Sequence, residues 1–160
     1  MKASLKVIAC MAALAVLMVV QSASAQGKLE GTWKYVEVIP PGPDAKPIPV
    51  QEGLLIFTKN HFSMIFVSGD KPRPALPQQN ATDAQRVAAW TPLNVGAGTY
   101  EVNGNTYTAK SLVSKNPGGT GPDAWITVEF KIDGNTLITT PKAVKAGPVN
   151  LGSTKLIRVE

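Results

Sequence analysis

The sequence predicts an all-β domain, an eight-stranded antiparallel up-and-down barrel with one short helix. Three observations predict it. From Leu29 onward, short alternating or apolar runs rich in Val, Ile, Thr, Phe and Tyr are separated by Gly, Pro, Asn and Asp, the punctuation of strands and turns. Tight-turn pairs recur between those runs: Lys59-Asn60, Asn103-Gly104-Asn105 and Asp133-Gly134-Asn135, where Asn-Gly and Asp-Gly accept the positive φ of a hairpin turn. Only one segment carries helix signals. Eight strands in an open sheet would leave two edges exposed, and closure removes them. A β-sandwich is the alternative architecture.

Residues 1–25 read as an export leader, because Lys2 and Lys6 precede an apolar run from Val7 to Val20 and the small-residue site Ala23-Ser24-Ala25, with cleavage expected before Gln26. The run falls short of the ~18 or more apolar residues that a spanning helix needs. The mature chain is therefore expected to be exported, periplasmic or secreted, without a transmembrane segment. Val7-Ile8-Ala9-Cys10 has the residue types of a lipid-attachment box, but it stands before the apolar run, where such a box should follow it. Cleavage also removes Cys10, the one cysteine. That leaves no disulfide, thiol nucleophile or thiolate metal site.

The expected strands lie near 30–39, 53–58, 61–68, 97–103, 106–114, 124–132, 135–140 and 153–159. The helix is expected over Thr82–Trp90, "TDAQRVAAW", with Thr82 as N-cap and Gln85 as its capping-box partner, and Pro92 stops it. "PPGPDAKPIPV", from Pro40 to Val50, should form a stiff extended loop at one end of the barrel. The formal charge of +5 comes from 16 basic and 11 acidic residues, and the basic ones are scattered singly. Nucleic acid is not an expected partner, since its footprint clusters charge with aromatics. Asn80-Ala81-Thr82 fits a glycosylation sequon by chance in a bacterial-type export context.

Gly31-Thr32-Trp33 on the first strand and Arg158 in "KLIRVE" on the last resemble the lipocalin pattern, in which a first-strand Trp packs at the closed end of the barrel beneath an Arg of the closing strand. "LEGTW", "GLLIFTKNHFSMIF", "GAGTYEV" and "IDGNTL" are similar, in that order, to the bacterial lipocalin-like domain, over nearly all of 26–160. The resemblance implies a calycin-type barrel. It makes Gly31, Trp33 and Arg158 structural, Trp33 plugging the barrel and Arg158 adding a cation–π contact of roughly 0.5–2 kcal/mol. An ordinary core Trp beside a solvated Arg is the bland reading. Related domains often carry a His in the strand that here reads "TYTAKSLV" and an Arg where this chain reads "ITVEF". Neither is present, which weakens any catalytic inference from the family.

Chemistry has few parts to work with. His61 is the sole histidine, so a two-His metal site is impossible, and no nucleophile elbow or phosphate loop occurs. No cofactor is expected. Beside the Lys59-Asn60 turn, His61 should be exposed at a barrel rim, a ligand hydrogen bond being the rival role; Ser63, two residues on, has no local acid to complete a triad. In "WITVEFKI", Ile126, Val128, Phe130 and Ile132 alternate with Glu129 and Lys131, which should face water. The reverse would bury a Glu–Lys pair in the barrel.

Aromatic and sulfur side chains suit a pocket better. Phe62, Met64 and Phe66 alternate on one strand, with Phe57 beside them and Tyr100 and Tyr107 on the next hairpin. These six are the candidate ligand-binding residues. An apolar wall with phenolic hydroxyls suits a small apolar or amphipathic molecule, although each side chain could equally be core. Ile65 and Val67 on the opposite face suggest an outer cover, with helix 82–90 a candidate. Two further functions stay open: a cofactor-independent isomerase or lyase using Tyr107 or Glu129, and a filled barrel that binds a protein partner through its long loops.

Overall fold

The structure, a computed structural model, describes residues 26–121 and 123–160. The leader, its cleavage site and Cys10 lie outside the described residues. A helical turn at 26–29 leads into ten strands: β1 (Gly31–Ile39), β2 (Ile48–Pro49), β3 (Gly53–Phe57), β4 (His61–Val67), β5 (Leu93–Asn103), β6 (Thr106–Ser114), β7 (Trp125–Asp133), β8 (Thr136–Val144), β9 (Gly147–Pro148) and β10 (Ser153–Arg158). One helix, α1 (Asp83–Trp90), lies between β4 and β5.

Eight of these strands close into an antiparallel barrel in the order β1-β3-β4-β5-β6-β7-β8-β10, with β10 returning to β1. The two-residue strands β2 and β9 hang on β1 and β8. The predicted architecture is correct, so the sandwich alternative falls away. All three tight turns, at 58–60, 103–106 and 133–136, lie at one end. The long connections 40–52, 68–92, 115–124 and 145–152 all lie at the other, because antiparallel strands reverse at alternate ends.

Several boundaries differ from expectation. β5 begins at Leu93 rather than 97, pairing its first residues with Val67 and Phe66. β8 runs on to Val144, past Pro141, because the register shifts between Thr127 and Val128 of its partner β7 and Pro141 sits beside that irregularity, where a missing backbone donor is tolerated. The Pro40–Val50 loop is not simply extended: it turns at 41–44 and returns to pair Ile48 and Pro49 with Val38 and Glu37.

Helix α1 has the expected capping box, in which the Thr82 hydroxyl accepts from the Gln85 amide and the Gln85 side chain accepts from the Thr82 amide at 2.8 Å. It buries Ala89 alone. It does not cover the outside of β4, and Ile65 stays 49 % exposed. Arg73 instead ties the preceding connection to the helix by donating Nε to the Ala89 carbonyl at 2.8 Å.

Bulky side chains fill the tight-turn end: Leu29, Trp33, Phe57, Leu137 and Leu156 are the largest fully buried side chains among the described residues. Phe57, Tyr100, Tyr107 and Phe130 pack edge-on or tilted, with ring centres 4.9–6.2 Å apart. Such aromatic pairs are worth roughly 0.5–1.5 kcal/mol each beyond their buried area. Gly98 makes one close approach possible, since a Cβ there would lie 1.9 Å from the Lys110 carbonyl across the β5–β6 ladder.

Candidate functional site

The barrel's interior divides into a plugged end and an upper half of mixed apolar and hydroxyl-bearing side chains. At the plugged end Trp33 is fully buried, and its indole Nε1 donates to the Leu29 carbonyl at 2.8 Å. Trp33 and Arg158 are cross-strand partners on β1 and β10, and the guanidinium carbon sits 4.0 Å from the ring centre. Arg158 also donates to the Glu30 carbonyl at 2.7 Å and to the Lys28 carbonyl. The guanidinium thus fastens the entry segment to the last strand. Gly31 holds φ +122°, and a Cβ there would meet the Glu160 carbonyl at 2.4 Å and Arg158 Nη1 at 2.7 Å. Only glycine suits both the backbone angle and the space.

Above the plug, register and alternation fix which residues line the cavity. Leu55 lies opposite Met64, which lies opposite Gly96; Gly53 lies opposite Phe66, which lies opposite Asn94. Phe62 stands between Phe57 and Gly98. Across the barrel the inward series continues through Tyr107 and Ala109 on β6, Ile126 and Val128 on β7, Thr139 on β8 and Leu156 on β10. On β5, β6 and β8 the inward side chains shrink toward the open end, where Gly96, Ala109, Ser111 and Thr139 replace the rings and leucine below, whereas Met64 and Phe66 on β4 and Tyr35 on β1 stay large. A concavity of about 460 Å³ lies at that end, where Ala109, Ser111, Ile126 and Val144 meet Thr120 and the Asp123–Lys145 ion pair; none of the six candidate ligand-binding residues lines it.

The six predicted ligand-binding residues all lie on the inner wall, in two groups. Phe57, Phe62, Tyr100 and Tyr107 are buried in the lower cluster, and Met64 and Phe66 are half-buried higher up. The Tyr100 hydroxyl is committed to the fold, donating to the Thr58 carbonyl at 2.8 Å. Burial, with the Glu30 charge second, pushes its phenol up to about 12.

Tyr35 was missed in the sequence, although it stands two residues from Trp33 and so shares its face. Its ring stacks on Phe66 at 4.4 Å, and its hydroxyl reaches only the Met64 thioether, 3.9 Å away. Burial raises the Tyr35 phenol far above its ordinary value of 10, and raises Tyr107 likewise, with the Tyr35 charge adding to the effect. Both are therefore neutral donors across the physiological range.

Among the described residues Tyr107 has no hydrogen-bond partner, yet no side-chain oxygen sealed from solvent is left unpaired. Above Arg158, the inward positions of the eight strands carry no Asp, Glu, Lys, Arg or His, as read from the pairing registers.

Glu129 faces outward, where Lys142 pairs with it at 2.7 Å and Asn105 donates to it at 3.1 Å. The hydrogen bond and charge of Lys142 hold its carboxyl below the usual range. Glu129 and Tyr107 thus lie on opposite faces of the wall and share no site. His61 is exposed at the tight-turn end, far along β4 from the concavity, and Ser63 points outward from the same strand. Among the described residues no three His, Cys, Asp or Glu side chains are grouped to hold a metal ion, and no helix is long and apolar enough to cross a membrane.

Fold and site together define a closed eight-stranded β-barrel, plugged at one end, whose inward strand positions above the plug are uncharged among the described residues and whose open-end concavity carries the Asp123–Lys145 pair. No protein-family model matches the chain, and no curated protein matches it.

Proposed function

We propose that this protein is an exported, lipocalin-like barrel that binds a small apolar or amphipathic molecule in its interior. The observation that carries the reading is the taper of the β5, β6 and β8 wall, where Tyr100, Tyr107 and Leu137 give way to Gly96, Ala109, Ser111 and Thr139 toward the open end, while Met64 and Phe66 keep the β4 wall bulky. A barrel of this strand number either fills with side chains or holds one small ligand. The Trp33–Arg158 pair and the order of the motifs support membership of the bacterial lipocalin-like domain. Lys2, Lys6, the apolar run and Ala23-Ser24-Ala25 support export, which an N-terminus at Gln26 in the protein recovered outside the cytoplasm would verify.

Catalysis is less well supplied. Among the described residues the inward strand positions offer phenols that stay protonated and no carboxylate or imidazole, and the Asp123 carboxylate at the concavity is paired with Lys145, so a general base is poorly supplied. The interaction-module reading draws on exposed apolar side chains on the connections at the open end, including Ile48, Leu76, Val87, Trp90 and Leu151.

Native mass spectrometry for a co-purified molecule, joined to titration with an apolar fluorescent probe, separates these readings. A container binds the probe, and Met64→Trp weakens that binding while leaving folding nearly intact. In a filled barrel the wild type ignores the probe and Met64→Trp overpacks, costing typically ~1–3 kcal/mol of stability.

A further inference from the structure

We propose that the groove between α1 and the connection leading into it binds a small aromatic carboxylate, gripped by the Arg73 guanidinium with its ring against Trp90. The inference stands apart from whatever the barrel interior holds. A concavity of about 440 Å³ is lined by Arg73 and Leu76 from the connection and by Arg86, Val87, Ala89 and Trp90 from the helix. None of the barrel strands contributes to it. That volume falls among sites that take one small molecule.

The groove is apolar and uncovered. Helix α1 buries Ala89 alone, while Val87 is 63 % exposed, Trp90 53 % and Leu76 46 %. Helix positions three and four apart are neighbours, so Val87 and Arg86 both flank Trp90. Apolar side chains exposed singly are ordinary, but a group of them sharing one concavity with charged residues marks a binding surface.

Charge decides what fits. Arg73 donates Nε to the Ala89 carbonyl at 2.8 Å, one residue before Trp90. Its two Nη atoms make no hydrogen bond or ion pair among the described residues. They form the end-on fork that a carboxylate accepts with both oxygens. Arg86 spends Nε and Nη2 on the Ala81 carbonyl at 3.1 and 2.8 Å, so it adds positive charge rather than a second fork. Neither arginine is paired with an acid among the described residues.

The last carbonyls of a helix ordinarily repel an anion. Arg73, bound to one of them, reverses the sign locally. The connection 68–92 carries Lys71, Arg73 and Arg86 against Asp70 and Asp83, so its positive charge is concentrated at the groove. An anionic bilayer is drawn instead by a cluster of basic residues. The Trp90 indole supplies a flat face for an aromatic ring.

The test titrates the nitrogen-15-labelled protein with naphthoate and with its neutral counterpart naphthamide, read at the Trp90 indole N–H resonance and assigned by Trp90→Phe. Reading one site keeps binding elsewhere out of the measurement. Naphthoate should move the Trp90 resonance saturably, with an affinity roughly tenfold above that of naphthamide, and added salt should weaken it. Arg73→Gln should abolish the preference. Arg73→Lys should recover only part of it, because an ammonium has no fork. Since Arg73→Gln also releases the Ala89 carbonyl, Arg86→Gln serves as the variant that leaves this tie in place, and it should weaken naphthoate by about two- to threefold.

An unmoved Trp90 resonance overturns the proposal, as does equal affinity for the two probes or a preference that survives Arg73→Gln. A shift confined to the Trp33 or Trp125 resonances places the probe in or beside the barrel and overturns the groove while the barrel reading stands. If anionic phospholipid vesicles move the Trp90 resonance and naphthoate does not, the groove faces a membrane and the small-molecule site is refuted.

Discussion

The Arg158 guanidinium lies over the Trp33 ring at 4.0 Å, and the two residues face each other across the seam where the last strand meets the first. Trp33→Ala should cost roughly 3–5 kcal/mol, the range for emptying a buried aromatic site. In urea denaturation a double-mutant cycle with Arg158→Ala should show a coupling of about 0.5–2 kcal/mol. Arg158→Lys should not restore it, because an ammonium cannot lie flat on the ring while holding two separate carbonyls. A Trp33→Ala variant as stable as wild type would remove the plug from the account.

Gly98 predicts a steep local sensitivity. A methyl group there would strike the Lys110 carbonyl at 1.9 Å, whereas one at Gly118 meets nothing within 4 Å. Gly98→Ala should therefore lower the melting temperature markedly and Gly118→Ala hardly at all. Equal melting temperatures would contradict the close approach of β5 and β6.

All three tyrosines of the chain are buried with raised phenols, which fixes the sign of an alkaline effect. Below pH 10, the ordinary phenol value, folded and unfolded chains bind the same tyrosine protons and stability is unaffected. Above it the unfolded chain loses protons that the folded chain keeps, so stability falls as pH rises. Tyrosinate absorbance should accordingly appear together with the loss of far-ultraviolet circular dichroism. A phenol titrating near pH 10 in the intact fold would show that at least one ring is open to solvent.

Glu129 and Lys142 form an ion pair on the barrel's outer surface. Glu129→Gln should change neither melting temperature nor probe binding measurably, since exposed pairs contribute little. A loss of probe binding would reopen the catalytic reading that names Glu129.

The hairpins were legible in the sequence because each tight turn is encoded by a few adjacent residues, Asn103-Gly104 and Asp133-Gly134 above all. The capping box of α1 was legible for the same reason. Features that depend on a partner strand were not. Pro141 reads as a strand terminator until the register shift in β7–β8 is known, and Leu93–Gly96 becomes a strand only because β4 lies beside it.

The inner-wall residues of β4 followed from alternation alone. Tyr35 was obscured by the irregularity after it, which breaks the alternation of β1 between Tyr35 and Glu37. The apolar outer face of β4 invited a covering helix. In the structure α1 is instead tied to the preceding connection, where the Ala89 carbonyl accepts from Arg73.

The seam that joins β1 to β10 also governs the order in which the barrel assembles. Every other neighbour in the ring follows closely along the chain, so its pairing closes a short loop, while Trp33 and Arg158 must meet across nearly the whole domain. Loop-closure entropy grows with the length enclosed, and the hairpins from β3 to β8 can form before it is paid. The clasp is therefore expected to close late, after the folding transition state. Weakening it should steepen neither the rate of collapse nor hairpin formation; it should appear in the unfolding limb of the kinetics, where interactions made after the barrier set how long the native barrel lasts. Trp33 and Arg158 act as a latch on the lifetime of the closed ring.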